Sequence, residues 1–176
     1  MQPRSSRGFT LIELLIVVAI IGVIAAVAVP GLMRARLSGN EVSAIASLRA
    51  INTAQSIYAA SCARGFYSPS LENLGTPPVG RANAFLGPDL GRAGEVTKAG
   101  YLIQLSGTAA SGAGSTCNGL AAGAAVSTYK AGADPIAGQG DRFFATNTSG
   151  TIFEHTATLF ATMPETGAPP VGRPAQ

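Results

Sequence analysis

The chain opens with a block in which polar positions almost vanish: from Phe9 to Val29 only Thr10, Glu13 and Gly22 interrupt a run of aliphatic side chains. At about 1.5 Å per residue such a run makes a helix of roughly 31 Å, close to the roughly 30 Å of a bilayer's hydrocarbon core. Beyond Pro30 the pattern changes to an amphipathic one. Leu37, Ala44, Ile45, Leu48, Ile51 and Tyr58 recur at helical spacings, while Arg34, Arg36, Arg49, Thr53 and Ser56 fall largely on the other side. Glu41 and Gln55 blur that stripe, so the buried face is narrow. Gly65 places the end of the helix at about 62 to 65. Gly22 and Pro30 weaken the helix between them, and a bend or local melting is expected there.

After residue 65 the periodicity shortens. A capped turn of helix is expected around Leu71 and Leu74, with Pro69 at its first position and Gly75 past its end. Strands are expected at 101–105, 126–131, 142–146 and 151–155. The last two form a hairpin about Asn147-Thr148-Ser149-Gly150. The predicted fold class is α+β: a long N-terminal helix, with a transmembrane half and an amphipathic half, packed on a small antiparallel sheet. Residues 157–176, rich in Pro and Gly, read as a disordered tail.

Composition narrows the function. Hydrophobic residues make up 47% of the chain and charged ones only 12%, with a formal net charge of +3. Arg4 and Arg7 precede the apolar run, and no basic stripe points to nucleic acid. They set the short N-terminus in the cytoplasm, although Arg34 and Arg36 behind the run make that assignment less one-sided. A permanent anchor, a secretory signal cut around Ala26-Val27-Ala28, and an export segment cut before the apolar run all remain open. An ordinary signal's apolar region is shorter, about 7 to 15 residues, and free of acids.

The stretch Gly8-Phe9-Thr10-Leu11-Ile12-Glu13 resembles the processing site of the type IV pilin and type II secretion pseudopilin superfamily. It combines a short basic leader ending in Gly, an aromatic residue after it, a Glu four positions on, and a spanning apolar run. The resemblance implies a leader of residues 1–8, cleavage between Gly8 and Phe9 by a prepilin peptidase, and N-methylation of Phe9. It further implies a membrane and filament-core helix over 9–30, an amphipathic half over 31–64 and a head domain over 65–156. Tyr58, Phe66-Tyr67, Gly100-Tyr101, Ala133-Asp134-Pro135 and Arg142-Phe143-Phe144 look like landmarks of such heads. In this reading Glu13 neutralises a neighbouring subunit's Phe9 amine and sets axial register; the alternative is that Glu13 marks the membrane edge and reaches water.

The function implied is structural: a subunit of a bacterial type IV pilus or secretion pseudopilus, stored in the inner membrane with its head in the periplasm. Its partners would be its own copies, the peptidase, the inner-membrane assembly machinery and membrane lipid. A single-pass anchored periplasmic binding domain that does not polymerise is the competing reading. Catalytic chemistry finds little support, since His155 is the only histidine and lies in an expected strand. No cofactor is indicated. Asp134 and Asp141 are weak calcium candidates, because calcium takes six or more oxygen ligands. Cys62 and Cys117 form an even pair that an oxidising compartment would bridge, with two unpaired thiols as the alternative. Asn147-Thr148-Ser149 fits a glycosylation sequon that its turn position already explains. Pro77-Pro78-Val79-Gly80-Arg81 recurs as Pro169-Pro170-Val171-Gly172-Arg173, with no mechanism evident from sequence.

Overall fold

The computed structural model describes residues 8–92 and 94–175. Residues 1–7 of the expected leader, Arg4 and Arg7 among them, lie outside that range. The chain divides into two compact units, Met1–Arg36 and Leu37–Gln176.

Helix α1 runs over Leu11–Ser61 and continues through both Gly22 and Pro30, so neither position melts it. Within the first unit its side chains are exposed, from Leu11 at 81% to Met33 at 64%. Nothing lies within 4 Å of a Cβ built on Gly22, so no contact in this chain requires a bare backbone there.

In the second unit the amphipathic stripe meets its partners. Leu48, Ile51 and Tyr58 are fully buried against Leu71, Tyr101 and Phe144. The two residues that blurred the stripe are buried as well, because each is hydrogen-bonded. Gln55 donates through Nε2 to Ser68 O at 2.9 Å and accepts from Ser68 N–H at 2.8 Å, which closes the corner after the helix. The helix ends where Arg64 and Gly65 take positive φ (54° and 95°) and Gly65 N–H turns back to Ala59 O. Helix α2, Leu71–Leu74, starts two residues later than the proline rule indicates: Ser70 is the cap, its side chain accepting from Asn73 N–H, and Pro69 precedes it.

A six-stranded sheet follows in simple meander order: β1 Val96–Lys98, β2 Tyr101–Ala109, β3 Val126–Pro135, β4 Phe143–Asn147, β5 Ile152–His155 and β6 Arg173–Pro174. All pairings are antiparallel. The central pair is longer than its sequence suggests, since β2 and β3 stay in register from Tyr101↔Pro135 to Thr108↔Thr128. Alternation was illegible there because Ala131, Gly132 and Ala133 are all small. Strand β1, three residues long, is too short to show a period; its turn into β2 uses Ala99 and Gly100, both at positive φ (47° and 74°).

The largest correction concerns residues 157–175, expected as a disordered tail. They cross the sheet face opposite the helix and end in β6. Leu159 and Met163 form a second cluster with Ala145 and Phe153. Successive outward positions of β3 each meet the strap: Thr128 meets Glu165, Lys130 meets Phe160 and Ala161 O, Gly132 meets Phe160, and Asp134 meets Thr158. At Gly132 a Cβ would stand 2.8 Å from that of Phe160, so only glycine admits the ring. The Pro/Gly content rules out regular structure in this segment, while its few anchors supply the burial.

Candidate functional site

Gly8, Phe9 and Thr10 precede the helix in non-helical backbone, and Phe9 is 72% exposed. The Gly8–Phe9 peptide bond is therefore accessible. Thr10 is the residue just before the first helical turn and Glu13 lies in that turn, in the order Thr-x-x-Glu. Thr10 N–H and Oγ1 donate to Glu13 Oε2 at 3.0 and 2.7 Å, and Glu13 N–H donates to Thr10 Oγ1 at 3.3 Å. This is a capping box: two otherwise unpartnered backbone donors at the helix start are satisfied reciprocally, and the negative carboxylate sits at the positive end of the helix dipole. The Thr-x-x-Glu spacing is visible in the sequence, where it coincides with the processing motif. From Leu11 onward the helix is long and apolar enough to cross a membrane.

The second concentration of chemistry lies in the head. Arg142, just before β4, donates from Nε and Nη2 to Glu41 Oε2 at 3.0 and 2.6 Å, and from Nη1 to Glu154 Oε2 at 2.6 Å. Arg173 Nε donates to the other oxygen of Glu154 at 2.8 Å. One guanidinium thus ties α1 to β5, and a second ties β6 to the same carboxylate. Burial alone would raise Glu154, but the Arg173 hydrogen bond and the charges of both arginines hold its carboxyl below the ordinary range. The Glu41 that blurred the amphipathic stripe is half of this clamp. Nearby, Asn40 Nδ2 donates to Gln139 O at 2.9 Å, and Asn52 joins Thr146 and Tyr129 through its amide.

The remaining sequence candidates resolve individually. Cys62 and Cys117 form a disulfide, with Cα atoms 4.9 Å apart, joining the end of α1 to the loop before β3. Asp134 and Asp141 have different partners: Asp134 Oδ2 accepts from Thr158 Oγ1, whereas Asp141 offers its backbone N–H to Glu41 Oε1. Among the described residues no group of three His, Cys, Asp or Glu side chains gathers as a metal site. The His155 ring nitrogen Nδ1 accepts from Ala157 N–H at 3.2 Å, a turn contact. Asn147 is fully buried and its amide donates to Pro164 O and Gly167 O, so the sequon's nitrogen is committed to holding the strap.

Residues 3–29 match the family model of the prokaryotic N-terminal methylation motif. Over 77 residues, 44% of this chain, the sequence is 42% identical to the type IV major pilin protein PilA of Myxococcus xanthus. It is 47% identical over 55 residues to the type IV wide pilus major component PilA4 of Thermus thermophilus, and 34% identical over 58 residues to the type II secretion system core protein G of Aeromonas hydrophila. The chain spans only 34%, 42% and 41% of the length of these relatives. No solved structure matches.

Proposed function

We propose that this chain belongs to the type IV pilin and type II secretion pseudopilin superfamily and is a structural subunit of a bacterial pilus or pseudopilus. In this reading a prepilin peptidase cuts between Gly8 and Phe9, the new Phe9 amine is methylated, and the subunit is held in the inner membrane by α1 with its head in the periplasm. The assembly machinery then draws it into a helical polymer of its own copies.

The observation that carries the proposal is the setting of Glu13. A carboxylate in an apolar helix persists only at a boundary or with a partner. In the single chain the partner is Thr10, which supplies donors but no charge. Cleavage after Gly8 supplies the missing cation. A Phe9 amine from a neighbouring subunit can approach the Glu13 carboxylate and fix the axial offset between stacked helices, a use for which buried polar pairs are well suited. The accessible Gly8–Phe9 bond, the exposed apolar side chains of α1 and the motif match all support this sequence of events.

Mass spectrometry of the protein isolated from cells tests the reading. A chain beginning at N-methylated Phe9 is expected. One beginning at Val29 would mean an exported soluble protein, and intact Met1 a plain anchored domain. Glu13→Ala should still insert in the membrane and be cut after Gly8, yet fail to polymerise. Full filament yield from that variant would reduce Glu13 to a boundary marker. Deletion followed by electron microscopy and a secretion assay separates pilus from pseudopilus.

A further inference from the structure

The duplicated segment Pro-Pro-Val-Gly-Arg has two different surroundings. In the second copy, Gly172 takes φ 100° and lies against the Glu154 carbonyl, which a Cβ there would approach to 3.0 Å. Arg173 follows with its hydrogen bond to Glu154 Oε1, and Ala175 N–H donates to Ile152 O at 2.8 Å. Strand β5 therefore reads a left-handed glycine, then an arginine, then a backbone donor. These residues border an open cleft of about 420 Å³ beside His155 and Thr156.

The first copy has the same glycine and arginine, and neither meets a strand edge among the described residues. Gly80 also takes positive φ, 78°, although no atom lies within 4 Å of a Cβ built on it. Val79 is 86% exposed, and the Arg81 guanidinium has no ion-pair or hydrogen-bond partner among the described residues. Asn83 stands where Ala175 does and supplies the equivalent N–H. Val79 N–H bonded to Cys117 O holds this loop beside its own disulfide, so a Glu154 that receives it belongs to another molecule. The tail copy is a replaceable occupant: Arg173 is 80% exposed, and exposed ion pairs contribute little.

We propose that the 77–81 loop of one chain docks on the Glu154 strand edge of a second copy of this chain, displacing the 169–173 segment that covers it. The exchange goes beyond the subunit reading by specifying a head-to-head contact and the two segments that compete for it.

The test uses the full chain dispersed in detergent, so no polymer is needed. Two fluorescent peptides, residues 76–83 and 168–175, are titrated against wild type and Arg173→Ser. Loss of the cis arginine should tighten binding of both peptides roughly two- to fivefold, the scale of an exposed ion pair. A 76–83 peptide carrying Gly80→Val or Arg81→Ala should lose that binding, and Glu154→Gln in the protein should abolish it for both. The peptide variants keep the test decisive if Glu154→Gln unfolds, because they leave the protein untouched. Binding of the 168–175 peptide without the 76–83 peptide would overturn the proposal, as would binding of neither to an Arg173→Ser chain with native circular dichroism. Either failure leaves the subunit reading standing, since that rests on the mature N-terminus and on polymer formation.

Discussion

Thr10 and Glu13 cap each other: the threonine's N–H and hydroxyl reach one carboxylate oxygen, while the Glu13 N–H returns to the hydroxyl. The acid is therefore not an isolated charge in an apolar helix but the third residue of a helix start. Thr10→Ala removes the hydroxyl and leaves the carboxylate to the single backbone donor. Thr10→Ser should keep the cap intact. The expected outcome is faster amide exchange over residues 10–14 in Thr10→Ala alone, with cleavage after Gly8 retained in both variants. Equal exchange in the two would show that the box does not hold the helix start.

Arg142 is the only described cation shared by Glu41 and Glu154, both of which are largely buried. Arg142→Ala strands Glu41, which keeps only the Asp141 N–H, and leaves Glu154 to Arg173 alone. For a fully buried pair the loss would be about 3–5 kcal/mol; with the guanidinium side chain 43% exposed, about 2–3 kcal/mol is expected. Urea unfolding followed by circular dichroism reads it as a lowered midpoint at unchanged slope. Arg142→Lys should recover only part, because an ammonium cannot fork between α1 and β5.

How much of this was legible in the sequence depended on whether burial was carried by pattern or by single anchors. The apolar run, the stripe around Leu48 and Ile51, and the β4–β5 hairpin all have a period to read. The strap over 157–175 has none: it is held by Leu159, Met163, Glu165 and the Asn147 amide, each isolated among Pro and Gly. Likewise Glu41 and Gln55 looked like defects in an amphipathic face, because their partners Arg142 and Ser68 are brought to them only by the tertiary fold. The processing motif was legible because it is local, and the Thr10–Glu13 cap was equally local but hidden behind that first meaning.

Glu165 fastens the strap by accepting from Thr108 N–H at 3.1 Å, Thr108 Oγ1 at 2.9 Å and Thr128 Oγ1. Glu165→Ala leaves these donors to water and frees the segment that carries Met163. Limited proteolysis should then cut within 157–170 several-fold faster, while the β2–β3 ladder keeps its exchange protection. Unchanged cutting would mean that Leu159 and Met163 hold the strap unaided.

The Cys62–Cys117 bridge closes a ring with a sequence separation of 55 and fastens the Gly- and Ala-rich 107–125 segment to the end of α1. In the chain-entropy model a ring of this size is worth about 4 kcal/mol. Paired Cys62→Ser and Cys117→Ser substitutions should lower the thermal midpoint of the head well below that of wild type. A reductant should do the same to wild type and nothing to the double variant, which separates loss of the bridge from damage by the serines.

Carboxylates displaced in opposite directions give the head a distinctive pH profile. Burial pushes Glu154 and Glu165 up, but the arginines beside the first and the threonine donors around the second prevail, and both end below the ordinary 4.5. Their contribution is fully present above pH 4.5 and is lost as the pH falls through their lower folded values. Asp134 is displaced upward from 3.8, chiefly by burial and also by the charge of Glu95, against the Thr158 hydrogen bond; its Oδ1 is buried without a partner among the described residues. The sign is reversed there: the protonated form suits the fold, so stability falls as pH rises above 3.8 through the raised value. Asp134→Asn should therefore stabilise the head at pH 7 and leave it nearly unchanged at pH 3, steepening the rise in urea midpoint from pH 3 upward. Glu154→Gln should flatten that rise and destabilise most at pH 7. Parallel shifts at every pH would show that neither ionisation governs the profile.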